Sequence, residues 1–220
     1  MEIQKLIDST LLKPEATEGD IVSLCDQARE YGFAAVCANS CHAATVSRIL
    51  AGSGVKTCVV VGFPLGAAST EAKACEARYA LEAGAEEVDM VLNVGALKGG
   101  QSSRAEDDVR AVVEECRGKA LVKVIIECCL LSDEEKVEAC GIAVVAGADF
   151  VKTSTGFGSG GATAHDVRLM KDAVAGRARV KASDGIRDLA TAVEMIEAGA
   201  DRLGTSNGAG IVDEAGREGV

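Results

Sequence analysis

The sequence predicts a single-domain α/β protein, a (β/α)8 TIM barrel spanning residues 1–220. Short β-branched runs alternate with amphipathic helical segments along the whole chain. A helix-stop repeat recurs four times, as EYGFAAVCA (30–38), EAGAEEVDM (82–90), VAGADFVKT (145–153) and EAGADRLGT (197–205). No Pro-rich or low-complexity linker divides the chain, whose two prolines are Pro14 and Pro64.

In each repeat a charged helical segment ends at Gly, the residue that most easily takes the left-handed stop conformation. The apolar run after it is short, as a strand covered on both faces should be. Strands are expected near 6–10, 33–38, 56–62, 86–92, 120–126, 149–153, 178–182 and 201–205. Helical periodicity separates them at 19–31, 42–52, 69–83, 105–117, 133–146, 164–174 and 188–198, with a shorter helix after 207. Such alternation builds a parallel sheet, and eight units favour closure over an open, doubly wound sheet.

Of the 220 residues 48% are hydrophobic, enough for one sizeable core. Aromatics make up 3%, and the 25 glycines suit tight turns better than a platform for stacking bases. The formal net charge of −11 repels phosphate backbones, so no nucleic-acid partner is expected. No apolar run approaches the roughly 20 residues that cross a bilayer. The start, MEIQKLIDST, lacks the long apolar stretch of a secretory signal. The expected setting is therefore the cytoplasm, with no membrane partner. Nine cysteines, mostly in apolar runs (Cys25, Cys58, Cys75, Cys116, Cys140), form no C-x-x-C pair and read as small buried hydrophobes in a reducing compartment. His42 and His165 are the two histidines, and neither has ligand-like spacing, so no metal is expected.

A barrel of this kind carries its active site at the C-terminal ends of the strands. In each repeat the fifth residue after the stop Gly falls there: Cys37, Asp89, Lys152 and Gly204. Lys152 ends DFVKT, and Lys181, 29 residues on, lies in RVKAS of the next strand. Neighbouring strands are about 4.8 Å apart, so the two ammonium groups are expected side by side. A lone lysine at a strand end ordinarily snorkels to the rim. Two adjacent cations depress one another's pKa, and a neutral lysine attacks carbonyls. Lys123, in ALVKVIIE, lies earlier in its strand and reads as a buried, paired lysine. Asp89 is a carboxylate in an apolar strand, costly to bury unless paired or working. Asp8, expected near the end of the first strand, is a second such carboxylate. Loops 153–163, 182–188 and 204–210 are rich in Gly and hydroxyls, and loops after the last barrel strands frequently hold phosphate on backbone N–H groups. Residues 156–161 fit G-x-G-x-x-G, but no acidic residue ends a strand about 20 positions on, so the match carries little.

The motifs IDSTLLKPEAT, EYGFAAVCAN, VVVGFPLGA, EEVDMVLNVGALK, VKVIIE, DFVKTSTGFGSGGAT, VKASDGIR and GTSNG resemble, in order from residue 7 to about 212, those of class I deoxyribose-phosphate aldolases. The resemblance implies reversible cleavage of 2-deoxy-D-ribose 5-phosphate to acetaldehyde and D-glyceraldehyde 3-phosphate, with no metal and no organic cofactor. Partners would be the sugar phosphate and the aldehydes. Carried over, Lys152 forms the Schiff base, Lys181 stays cationic and activates it, Asp89 moves protons with a water, and Asp8 completes a network with Lys181. Cys37 lines the site, and Thr153, Gly156, Gly185, Gly204, Ser206 and Asn207 contact substrate or its phosphate. Barrels of this kind often self-associate, and a homodimer is the expectation.

The chain departs from the family pattern at three places. D-H-T reads Asp8-Ser9-Thr10, T-S-S-G reads Thr205-Ser206-Asn207-Gly208, and S-G-G-I-R reads Ser183-Asp184-Gly185-Ile186-Arg187. The last brings a carboxylate to a phosphate loop. This keeps open a Schiff-base enzyme with reduced dependence on phosphate. A sugar-phosphate sensor without catalysis is the reading from another class, and the two adjacent lysines speak against it.

Overall fold

A computed structural model describes residues 2–219. Eight parallel strands close in sequence order into a barrel: β1 Ile7–Leu11, β2 Ala35–Ala38, β3 Lys56–Val61, β4 Glu87–Val91, β5 Leu121–Ile125, β6 Phe150–Lys152, β7 Arg179–Ser183 and β8 Arg202–Thr205, with β8 pairing back to β1. Around it lie α1 Glu18–Tyr31, α2 Ala43–Leu50, α3 Thr70–Glu82, α4 Val94–Lys98, α5 Ser102–Cys116, α6 Asp133–Ala146, α7 Ala164–Val174, α8 Leu189–Glu197 and α9 Gly208–Glu218.

The helix starts are written locally. Thr17 and Ser132 close capping boxes with Asp20 and Glu135, so orphan N–H groups of α1 and α6 find side-chain acceptors. The four stop glycines, Gly32, Gly84, Gly147 and Gly199, have φ of 67, 96, 94 and 110°, the region that disfavours a Cβ.

Alternation within each strand sorts the side chains. Val36, Val59, Val88, Met90, Val122, Val124, Val151, Val180 and Leu203 face the helices and join one continuous core. Facing inward, Ala35, Cys37, Cys58 and Val60 form a small second cluster with Leu12 and Phe63. Val91, Ile125 and Phe150 share the inward face two positions from Asp89, Lys123 and Lys152, and charged side chains fill much of the space between them.

Four expectations need correction. β1 begins at Ile7, after a 3-10 turn over Ile3–Leu6, so Asp8 is its second residue rather than near its end. An unforeseen five-residue helix, α4, precedes α5, which starts at Ser102 rather than 105; a helix this short shows no apolar period, and Asn93 caps it through the Ala96 N–H. The helix after 207 is a full 11 residues. Cys75 is exposed on α3, because the apolar run around it is one side of an amphipathic helix, while Cys25, Cys58, Cys116 and Cys140 are buried as expected.

Candidate active site

Residues two apart on one strand face the same way, and this places a charged column inside the barrel. Asp8, Glu87, Asp89, Lys123 and Lys181 are at most 2% exposed, Lys152 is 2% exposed, and Arg202 is half-buried. The register pairs Asp89 with Lys123, and Lys152 with Lys181.

Asp89 is the hub. Its Oδ1 accepts from Lys123 Nζ at 2.8 Å, and its Oδ2 accepts from both Lys152 Nζ at 2.9 Å and Lys181 Nζ at 2.8 Å. Lys181 also donates to Asp8 Oδ2 at 2.5 Å, and Arg202 to Asp8 Oδ1 at 2.6 Å. Glu87 closes the column below, 2.5 Å from Lys123 Nζ and 3.3 Å from Arg202. The Arg202 guanidinium also lies 5.7 Å from the Phe150 ring centroid, within cation–π reach.

Charge of this density survives burial only if it is paired. Burial pushes the Asp89 carboxyl up, but Lys123, Lys152 and Lys181 outweigh it and hold it well below the ordinary carboxylate value. Burial likewise opposes ionisation of Asp8, and Lys181, Lys123 and Arg202 bring it down. For Lys181 burial opposes the charge, and Asp8 and Asp89 more than restore it, so its pKa is raised. For Lys181 this corrects the expected depression by a neighbouring cation: two carboxylates stand beside it and fix its charge. The column holds four cations (Lys123, Lys152, Lys181, Arg202) to three carboxylates (Asp8, Glu87, Asp89). One ammonium can therefore lose its proton and leave the interior balanced. Lys152 has a single carboxylate partner and opens onto the cleft.

The carboxylates set the acid limit of stability. Groups with depressed folded pKa stabilise above their unfolded value and lose that contribution as pH falls through the folded one. Lys181, raised, stabilises below its unfolded value and loses that only as pH climbs through the folded one. Thermal stability should therefore be level across neutrality and fall on acidification below about pH 4, where unfolded carboxyls begin to titrate. Calorimetric scans from pH 3 to 9 check this; a Tm that held constant down to pH 3 would mean the column contributes little.

Above Lys152 a cleft of about 370 Å³ opens at the C-terminal mouth. It is lined by Lys152, Gly156, Gly185, Gly204 and Ser206 of the expected residues, and by Lys13, Phe157, Asp184 and Arg187. Gly204 is there for space: a Cβ on it would stand 2.9 Å from Ser183 Cβ and 3.0 Å from Lys181 Cε. Asp8, Asp89 and Lys181 lie below the cleft in the column, and three of the expected substrate contacts do not reach it either. Cys37 is buried beneath it, 4.0 Å from Asp89 Oδ2. Thr153 follows Lys152 and so faces the other way; its hydroxyl donates to the Ser183 carbonyl and accepts from the Ser183 N–H. Asn207 donates its side-chain amide to the Arg187 carbonyl, tying two loops together.

Sequence reading missed Glu87 and Arg202, though each sits two positions before a singled-out residue and must share its face. It also missed Glu127, a buried carboxylate with φ 56° that accepts from the Thr155 hydroxyl and, at 3.3 Å, from the Thr155 N–H, bracing the loop that carries Gly156 and Phe157. No local signal marks that contact, which joins the ends of different strands.

A larger cavity, about 520 Å³, opens at the opposite face beside Glu86, Arg117 and Lys119, away from the strand ends where barrels do chemistry. Among the described residues two triplets bring potential metal ligands within 4.8 Å of one another. One is Cys37, Cys58 and Asp89, with Lys123 Nζ already 3.4 Å from Cys58 Sγ and 2.8 Å from Asp89 Oδ1. The other is Asp133, His165 and Asp166. The fold thus brings His165 within 2.8 Å of Asp133, a cluster its sequence spacing hides, but Lys136 bridges the two carboxylates at 2.9 and 2.6 Å. In both an ammonium supplies the positive charge a metal would bring.

Fold and site together define a class: a (β/α)8 barrel with a lysine–carboxylate network opening at the strand ends. The chain belongs to the DeoC/LacD aldolase family, whose model matches residues 4–214. It is 59% identical over 215 residues to the deoxyribose-phosphate aldolase of Clostridium tetani, covering 98% of this chain and all of that one. It is 58% identical over 211 residues to that of a Geobacillus species, covering 96% and 95%. A solved structure from Aeropyrum pernix, described as a tetrameric deoxyribose phosphate aldolase, superposes with a TM-score of 0.91 at 36% identity, covering 99% and 92%.

Proposed function

We propose that this chain is a class I aldolase that reversibly cleaves 2-deoxy-D-ribose 5-phosphate to acetaldehyde and D-glyceraldehyde 3-phosphate through a Schiff base on Lys152, in the breakdown of deoxyribose phosphates. The observation that carries the reading is the placement of Lys152 Nζ at the floor of the cleft, on the Asp89 oxygen that Lys181 also holds.

Lys152, once it gives up a proton, adds to the C1 aldehyde. The carbinolamine loses water to become a protonated imine. When the C3 hydroxyl is deprotonated, the C2–C3 bond breaks and its electrons pass to the imine, leaving an enamine and releasing glyceraldehyde 3-phosphate. Protonation at C2 and hydrolysis return the lysine and acetaldehyde. Asp89, touching Lys152, is placed to pass protons with a water, and Lys181, held cationic by Asp8, keeps the charge around the imine fixed. No cofactor is required, because the lysine itself supplies the electron sink.

Gly156, Gly185 and Ser206, at the far side of the cleft, would receive the phosphate on backbone and hydroxyl donors, with Arg187 and Lys13 adding positive charge. No helix among the described residues is long and apolar enough to cross a membrane. The nine cysteines are free thiols, which supports a reducing, cytoplasmic setting. Self-association, as a homodimer or larger, is part of the proposal.

Borohydride trapping with deoxyribose 5-phosphate, followed by peptide mass spectrometry, tests the reading. A reduced adduct on Lys152 is the expected result. Folded protein with no adduct, or an adduct on another lysine, would overturn the assignment.

A further inference from the structure

Asp184 directly follows β7 with a left-handed backbone, φ 69°, one of three non-glycine residues with positive φ among those described. A side chain is held there at a cost in strain, and such strain persists where surrounding structure enforces it. Its carbonyl accepts the Ala162 N–H at 3.0 Å. Its carboxylate lies over the glycine loop opposite: a Cβ on Gly161 would stand 2.8 Å from Oδ2, and one on Gly156 would stand 3.7 Å from Oδ1. Gly161 leaves room for it and for the Asp184 carbonyl oxygen, which would stand 2.6 Å from the same Cβ, whereas at Gly156 the contact would be an ordinary one. Among the described residues no donor is hydrogen-bonded to this carboxylate, which is half-buried and is the one acidic side chain lining the cleft.

An unpartnered carboxylate lining the cleft acts on whatever anion binds beside it. We propose that Asp184 is the specificity-determining residue of the distal end of the cleft: it weakens the hold on a phosphate and accepts a hydrogen bond from a hydroxyl in the same place, shifting the enzyme toward unphosphorylated deoxyribose and similar hydroxyaldehydes. The proposal rests on the aldolase reading for its substrates and on geometry alone for its anion effect. Lys13 and Arg187, lining the same cleft, act in the opposite sense, so the site is a graded filter rather than a closed one.

Asp184→Asn tests it, since Asn tolerates the left-handed conformation and keeps the shape while removing the charge. Asp184→Gly removes the strain as well and is expected to fold at least as well. Two readouts are needed. The first is the ratio of kcat/KM on deoxyribose 5-phosphate to that on deoxyribose, which should rise about tenfold or more in both variants, the effect of one partly screened unit charge. The rise should lie partly in a lower KM for deoxyribose 5-phosphate, and kcat/KM for the free sugar should fall, most of all in Asp184→Gly, which keeps no side-chain acceptor for its hydroxyl. The second is affinity for inorganic phosphate by titration calorimetry, which does not depend on turnover and should tighten by a similar factor. If phosphate affinity tightens but neither sugar is cleaved by any form, the aldolase reading fails and the anion effect of Asp184 stands. If both variants leave phosphate affinity and the substrate ratio as in the parent protein, the proposal is overturned.

Discussion

Lys152→Met is expected to lower kcat on deoxyribose 5-phosphate by about four orders of magnitude or more, as removal of the group that forms a covalent intermediate does. The same variant should remain folded, and the reason lies in the interior charge. Without Lys152 the column keeps Lys123, Lys181 and Arg202 facing Asp8, Glu87 and Asp89, so the buried set becomes balanced. Methionine fills nearly the same volume. The variant's Tm should match or exceed that of the parent chain. Lys181→Met would behave otherwise, for it strips Asp8 of its 2.5 Å partner and Asp89 of one of three. Breaking a buried pair from one side costs about 3–5 kcal/mol. Steady-state kinetics and thermal scans on the two variants separate the roles. A sugar-phosphate sensor would bind its ligand equally well after Lys152→Met, and retained turnover would remove Lys152 from the mechanism.

The barrel was legible because its repeats are. The stop glycines carry the left-handed φ that their spacing implies, and the fifth residue after each one does land on the inward face. That single rule brings Lys152 and Asp89 onto one network, and β6–β7 pairing brings in Lys181. What stayed hidden has two causes. Some of it was written in the strands but needs their alternation to read: Thr153 must face away from the cleft because Lys152 faces into it, and Glu87 must join Asp89. The rest depends on contacts between distant elements. Asp8 meets Lys181 across 173 positions, and the Glu127 brace on Thr155 joins two loops. Residue types there announce a cost of burial but do not name the partner that offsets it. α4 was missed for a third reason, since five residues are too few to display a helical period.

Asp89→Asn should have the second large effect and is the sharper test of mechanism. The amide is nearly the same size, but it presents one acceptor oxygen where three ammonium groups now meet a carboxylate, and its NH2 turns donors toward donors. Two losses are expected together. Stability should fall by about 3–5 kcal/mol, the size of breaking a buried ion pair from one side. kcat should fall by about 10²–10⁴, the range of a lost acid–base group. Since any damage to the column could slow the enzyme indirectly, Glu87→Gln serves as the control. Glu87 lies 2.5 Å from the same Lys123 and near Arg202, at the base of the column, and has no hydrogen bond to Lys152. It should lose stability on a similar scale while kcat stays within about tenfold, below the range of a lost acid–base group. A rate-limiting proton transfer through Asp89 adds a further signature: in Asp89→Asn the borohydride-trapped adduct should form more slowly, because dehydration of the carbinolamine needs the same proton relay. If both variants lose activity in proportion to their loss of stability, Asp89 is a positioning residue that holds Lys152 and no more. If Asp89→Asn stalls while Glu87→Gln turns over, the carboxylate between the two lysines is moving the protons.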